Sequence, residues 1–277
     1  MYENRGFTSP AEPLSIGNVV SAAVRLYRSH LKSYLRIAFT AHLWALVPIY
    51  GWAKYAASSG LISRLAFGEL TNQPESVEDA RSHVNPRLWS FWGIYFRVGI
   101  YVVLVYLGLA IAGGITVGVL AAVLNTVLGR AGAIITTALV AILMVIILVM
   151  GLTWFYARWV IAEVPLAVEE NINGSESVKR SWELTKASAF RIQGVVIVAG
   201  LVTLPIVFLF NYLPSLFLLP LDPGSSIYWL VYAIAMVISL VGGMFVMPFW
   251  QSMKAVLYYD LRSRREGLGL ELRNREI

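Results

Sequence analysis

The stretch from Ala131 to Ala157, AGAIITTALVAILMVIILVMGLTWFYA, holds no charged residue. Coiled as a helix at about 1.5 Å per residue it is roughly 40 Å long, more than the roughly 30 Å of bilayer hydrocarbon. It predicts a membrane span. Trp154, Tyr156, Arg158 and Trp159 mark its end, the aromatic and basic types that settle at a headgroup boundary.

Composition extends that reading to the whole chain. Of 277 residues, 58% are hydrophobic and 14% charged, with a mean hydropathy of +0.68, far more apolar than a soluble core of this size requires. Cysteine is absent, which excludes disulfides, thiolate metal sites and cysteine nucleophiles. His30, His42 and His83 lie in separate segments, so no metal or cofactor is expected. The formal charge of +6 in such a chain points to topology and anionic lipid, not nucleic acid. The opening MYENRGFTSPAEP lacks an apolar signal-peptide core and predicts a disordered tail over 1–13.

Four further uncharged runs cover 37–53, 98–129, 192–221 and 223–253. Together they predict an all-α polytopic membrane protein of about six membrane helices, paired as three hairpins. The first pair, 37–63, has short arms around Pro48 and Gly51 and is read as short or re-entrant. An amphipathic segment precedes each pair. In Ser15–Arg36, Arg25, Arg28, Lys32 and Arg36 recur at spacings of three and four, opposite Val20, Val24, Tyr27, Leu31 and Tyr34. That is the pattern of a helix in the headgroup plane, its apolar side on acyl chains. The other two, ESVEDARSHVNPRLW and GSESVKRSWELTKASAF, share Glu-Ser-Val, and Ser76 with Asp79 suggests a capping box.

Three repeats follow, at about 15–70, 74–165 and 175–261, within one membrane domain over 14–261. Residues 262–277 form a basic tail in which Arg262, Arg264 and Arg265 face anionic lipid. With every hairpin opening to the cytoplasm, that side receives all Lys and Arg except Lys54 and Arg130. Five spans, with a single crossing in the first segment, is the rival arrangement.

Ala110, Gly114, Gly118 and Ala122 recur every four residues and predict a face where a partner helix approaches, in the same chain in preference to a dimer. Each repeat ends in a base followed by an acid: Arg64 and Glu69, Arg158 and Glu163, Lys254 and Asp260. Arg97, Arg158 and Glu163 suit a polar vestibule for an anion, snorkelling to the interface, or, for the acids, pairing with a base of another repeat. His42 reads as a hydrogen-bonded structural residue. No P-loop, dinucleotide fingerprint, His-Glu-x-x-His or Gly-x-Ser-x-Gly elbow occurs, so no enzyme is expected.

The closing run Leu257-Tyr-Tyr-Asp-Leu-Arg-Ser-Arg-Arg-Glu-Gly267, with Ser15-Ile-Gly17 and Arg25-Leu-Tyr-Arg28, resembles the membrane-domain family of glycerophosphoryl diester phosphodiesterase. PIYGWAKY and RLAFGE give it a cyanobacterial look. The resemblance implies architecture and a bacterial inner (plasma) or thylakoid membrane with both termini cytoplasmic; the catalytic domain's paired histidines and acids are missing. Two functions stay open: a scaffold, accessory or assembly factor working through a membrane-protein partner or self-association, and a transporter of lipid or small anions through a cavity between hairpins.

Overall fold

The computed structural model describes residues 14–267, which are helical with no strand. The tail expected at 1–13 and the stretch 268–277 lie outside the described residues. Three helical stretches are long and apolar enough to cross a membrane, 77–168, 174–216 and 226–265. With the exposed apolar side chains described below, they make this an all-α integral membrane protein.

The amphipathic segment at the start is two helices. α1 (Ile16–Ser29) starts where the Ser15 hydroxyl accepts from the Asn18 amide, and the chain breaks at His30 before α2 (Leu31–Ala45). Arg25, Arg28, Lys32 and Arg36 are exposed as the spacing predicts. The apolar side departs from expectation. Val19 and Ala23 are fully buried, Val20 nearly so, and Ile16 fills the space beside Gly194, so this face packs on protein in place of acyl chains. The cause is length: at about 21 Å, α1 fits the groove between two later helices, and Leu14 is tied there by the Asp260 carboxylate, which accepts its amide at 3.1 Å.

α2 folds back onto α3 (Tyr50–Leu70) through a γ-turn. Ile49 sits at φ 63, ψ −73, and the Tyr50 amide donates to Pro48 O at 2.7 Å, a rare and strained geometry. Its tip presents Leu43, Leu46, Val47, Ile49 and Trp52 outward.

α4 (Val77–Val84) is capped by the Ser76 hydroxyl, which accepts from the Asp79 amide and donates to the Asp79 carboxylate. The Asp side chain is too short to reach back to the Ser76 amide, so the reciprocal box is not made. α5 (Leu88–Trp159) is two antiparallel arms broken at Gly129, whose φ 67, ψ 176 is open to glycine alone. The arms pair where Gly151 meets Leu109 and Gly113 meets Met144. α6 (Glu163–Val168) follows a short turn.

α7 (Gly174–Thr185) carries a full capping box between Asn173 and Glu176. Its Ser177, Ser181 and Thr185, four residues apart and fully buried, donate to the carbonyls of Ala162 and Arg158, at 2.6 Å and 2.9 Å for the two serines. They satisfy the turn that ends α5. The Glu-Ser-Val echo is not a structural one: Ser76 caps α4, whereas Ser177 lies inside α7.

α8 (Ala189–Val207) contains Pro205 and widens into a π-helical turn at Phe208–Tyr212 before α9 (Leu213–Leu216). A proline cannot donate its backbone hydrogen bond, and a π-bulge is one way the ladder absorbs the loss. α10 (Ser226–Arg265) returns as one helix through Pro248, meeting the π turn where the side chains of Ser239 and Asn211 bond. The helix runs into the predicted tail, so Arg262, Arg264 and Arg265 are helical. They are occupied by protein: Arg262 binds Glu266, Arg264 binds Asp260, and Arg265 donates to Glu183 O.

Two observations set the depth of the first helical pair. Ser63 donates to Gln251 at 2.9 Å, and His42 lies against Gly243. Extending the Ser63–Gln251 register to the start of α3 puts Tyr50 level with residue 238. α10 continues twelve residues further to Ser226, about 18 Å at the helical rise. The α2–α3 tip stops well short of the end that α10 reaches.

Candidate functional site

α3, both ends of α5, α6 and α10 meet around one buried ion pair. Lys254 on α10 donates to the carboxylate of Glu163 at the start of α6, and their side chains are 8% and 5% exposed. Tyr95 donates to the same carboxylate at 3.4 Å. Each charge offsets part of the cost of burying the other, a cost that neither would recover alone. The pair joins two segments 91 residues apart.

The remaining base-and-acid residues form a lattice at the same end of the molecule. Asp260, with 1% of its side chain exposed, accepts from Arg191 at 2.6 Å and from Arg264 at 3.0 Å. Arg191 also donates to Leu14 O at 2.7 Å, locking α1 to α8 and α10. Glu69 meets His30 at 3.1 Å, and Arg64 meets Glu75 at 2.6 Å while donating to Ala167 O at 2.9 Å. Arg180 bridges Glu169 and Glu266, and Tyr258 donates to Glu169. Burial and the guanidiniums of Arg64 and Arg87 hold the His83 imidazole below its ordinary value, so it is neutral at pH 7.

Arg97, Arg158 and Glu163 do not line a common vestibule. Arg97 borders an open hollow with Tyr101, Trp159, Lys179 and Trp182. Arg158 is buried with its guanidinium 4.1 Å from the centre of the Trp182 ring, and Glu163 is taken by Lys254. The physical reason is the helix angle: residues five apart point to different faces. The predicted helix-packing stripe also fails within the chain. Gly114 and Gly118 have nothing within 4 Å of where a Cβ would sit, because the second arm packs on the neighbouring face through Gly113 and Leu109.

Tyr95, Tyr55 and Arg191 belong to this polar centre and were not separable in the sequence from ordinary aromatic and basic residues at a membrane boundary. Lys54 lies in a cavity with Arg81 and Asn85. His42 donates from Nδ1 to Ala38 O at 2.8 Å, and its ring faces a hollow of about 620 Å³ that also holds Asn211 and Ser239. Among the described residues no cluster of His, Asp or Glu could hold a metal. Among the described residues the polar centre pairs Lys254 with Glu163, Asp260 with Arg191 and Arg264, and Arg180 with Glu169 and Glu266.

The motif that closes α10 has a family counterpart. Residues 131–268 match the model for the membrane domain of glycerophosphoryl diester phosphodiesterase. The C-terminal half of the chain belongs to this family. The match begins with the second arm of α5 and includes Glu163, Lys254 and Asp260, so the buried pair lies wholly inside the family's membrane domain. The phosphodiesterase catalytic domain is not matched. No curated protein and no solved structure matches the chain.

Proposed function

We propose that the protein is a non-enzymatic membrane scaffold or assembly factor. Its membrane part is three helical hairpins in three repeats, the first re-entrant, with both termini cytoplasmic. With this orientation the described Lys and Arg lie on the cytoplasmic side apart from Lys54 and Arg130, in keeping with the positive-inside rule. Tyr228, Trp229 and Tyr232 at the start of α10 and Trp250 near its middle suit the two aromatic belts; Trp229 and Trp250 are 21 residues apart, about 30 Å.

One observation carries the scaffold reading. From Tyr101 to Met150 the only buried residue is Ala133. Both arms of α5 stand beside the bundle, not within it, and on the first arm Gly114, Gly118 and Ala122 are exposed, with Ala110 half-buried at the end of the same stripe. Small residues let a second helix approach closely in lipid, where association depends on packing and not on hydrophobicity. The test is gentle detergent extraction of wild type and of Gly114→Leu/Gly118→Leu. Wild type is expected in a stoichiometric complex, with another membrane protein or its own copy, and the variant alone with unchanged thermal stability. A wild type that is a lone monomer carrying only lipid refutes the reading.

Transport draws on one observation, the hollow of His42, Asn211 and Ser239 beside the π-helical turn. Labelling of a cysteine at Asn211 from both faces of the membrane would favour it over the scaffold.

A further inference from the structure

Between α2, α3 and α4 lies a cavity of about 170 Å³, lined by Ile37, Thr40, Trp44, Ala57, Ser58 and Leu61 together with Lys54, Arg81, Val84 and Asn85. At about 30 Å³ per water, it has room for roughly five waters or one compact polar headgroup. Its chemistry is one-sided. Two cations and the hydroxyls and amide of Thr40, Ser58 and Asn85 line it, and no carboxylate does. Neither Lys54 nor Arg81 is in an ion pair among the described residues; the Lys54 ammonium is 5.7 Å from the centre of the Tyr50 ring. Arg64, Arg87, Arg191 and Lys254 each have an acid or carbonyl partner, whereas Lys54 and Arg81 border one cavity from different elements.

The setting adds a second constraint. The cavity opens beside the α2–α3 tip, where Leu43, Trp44, Leu46 and Val47 are exposed, and its far wall is the amphipathic α4. A ligand there is polar and negative at one end and apolar at the other. We propose that this cavity binds a phosphate carried on a lipid headgroup, with Lys54 as an ammonium donor, Arg81 as a guanidinium fork on the phosphate oxygens, and the acyl chains along the hairpin tip. The site depends on the membrane reading and not on the scaffold role, so loss of either leaves the other standing.

The full-length chain in detergent tests it. Native mass spectrometry with phosphatidylglycerol as the probe is expected to show one tightly retained lipid. Lys54→Met and Arg81→Met each lower its affinity by about tenfold, while Lys54→Arg retains it. Arg28→Met/Lys32→Met, which removes exposed charges outside the cavity, leaves it unchanged. Thermal unfolding of each variant checks that folding is intact. Excess inorganic phosphate leaves the lipid in place if the lipid is the ligand. Displacement by phosphate reassigns the same cations to a free anion and overturns the lipid source. Equal retention by wild type and the folded Lys54→Met/Arg81→Met double variant overturns the site itself.

Discussion

Replacing Lys254 by methionine is expected to lower stability by about 3–5 kcal/mol, because it leaves the Glu163 carboxylate buried without its cation. Both side chains are almost fully enclosed, and among the described residues the other donor on the carboxylate is Tyr95 at 3.4 Å. One long hydrogen bond cannot replace a full opposite charge. Glu163→Leu strands the ammonium and should cost a similar amount. The double variant Lys254→Met/Glu163→Leu removes both charges and should return to within about 1 kcal/mol of wild type or exceed it. Thermal unfolding in one detergent measures all four proteins. If the two single losses simply add in the double variant, the pair is not the coupled unit described.

Gly51→Ala is expected to be the most damaging single-methyl addition in the first hairpin. Its Cβ would sit 1.9 Å from the backbone oxygen of Trp44 and 2.9 Å from the Val47 side chain. A backbone atom has no rotamer to escape into, so the turn itself must open. That turn is already strained at Ile49 and is held by the Trp52 indole donating to Ala45 O at 3.1 Å. Overpacking of this kind costs about 1–3 kcal/mol. Gly114→Ala is the control: its Cβ meets nothing within 4 Å, and alanine favours a helix interior by up to about 1 kcal/mol. Equal melting of Gly51→Ala and wild type would contradict the close packing of α2 on α3.

Elements governed by local physics were legible in the sequence. The uncharged runs after residue 97 lie in the long helices, Ser76 became a cap, and the basic stripe of α1 and α2 is exposed, since each follows from hydropathy, capping chemistry or helical periodicity. What depends on packing between distant segments was not legible. The apolar side of α1 suits acyl chains and a protein groove equally well, and only the anchoring of Leu14 by Asp260 decides between them. The Ala110–Ala122 spacing identifies a smooth face without saying whether the adjacent arm will use it. Lys54 follows the first turn and so reads as a residue of the far side; its place beside Arg81 and Asn85 depends on how α3 packs on α4. Within the site, Glu163 and Lys254 were both singled out, yet their partnership spans 91 residues, a separation that no local pattern encodes.

The absence of cysteine makes the decisive measurement simple. Single cysteines at Val47, Arg130 and Lys186 can be challenged with a membrane-impermeant maleimide, first in intact cells and then after permeabilisation. Reaction of Arg130→Cys from outside, of Lys186→Cys only after permeabilisation, and of Val47→Cys in neither condition is the expected result. Labelling of Val47→Cys from outside as readily as Arg130→Cys would show that the first hairpin crosses the bilayer, and labelling of Lys186→Cys in intact cells would reverse the orientation on which the account rests.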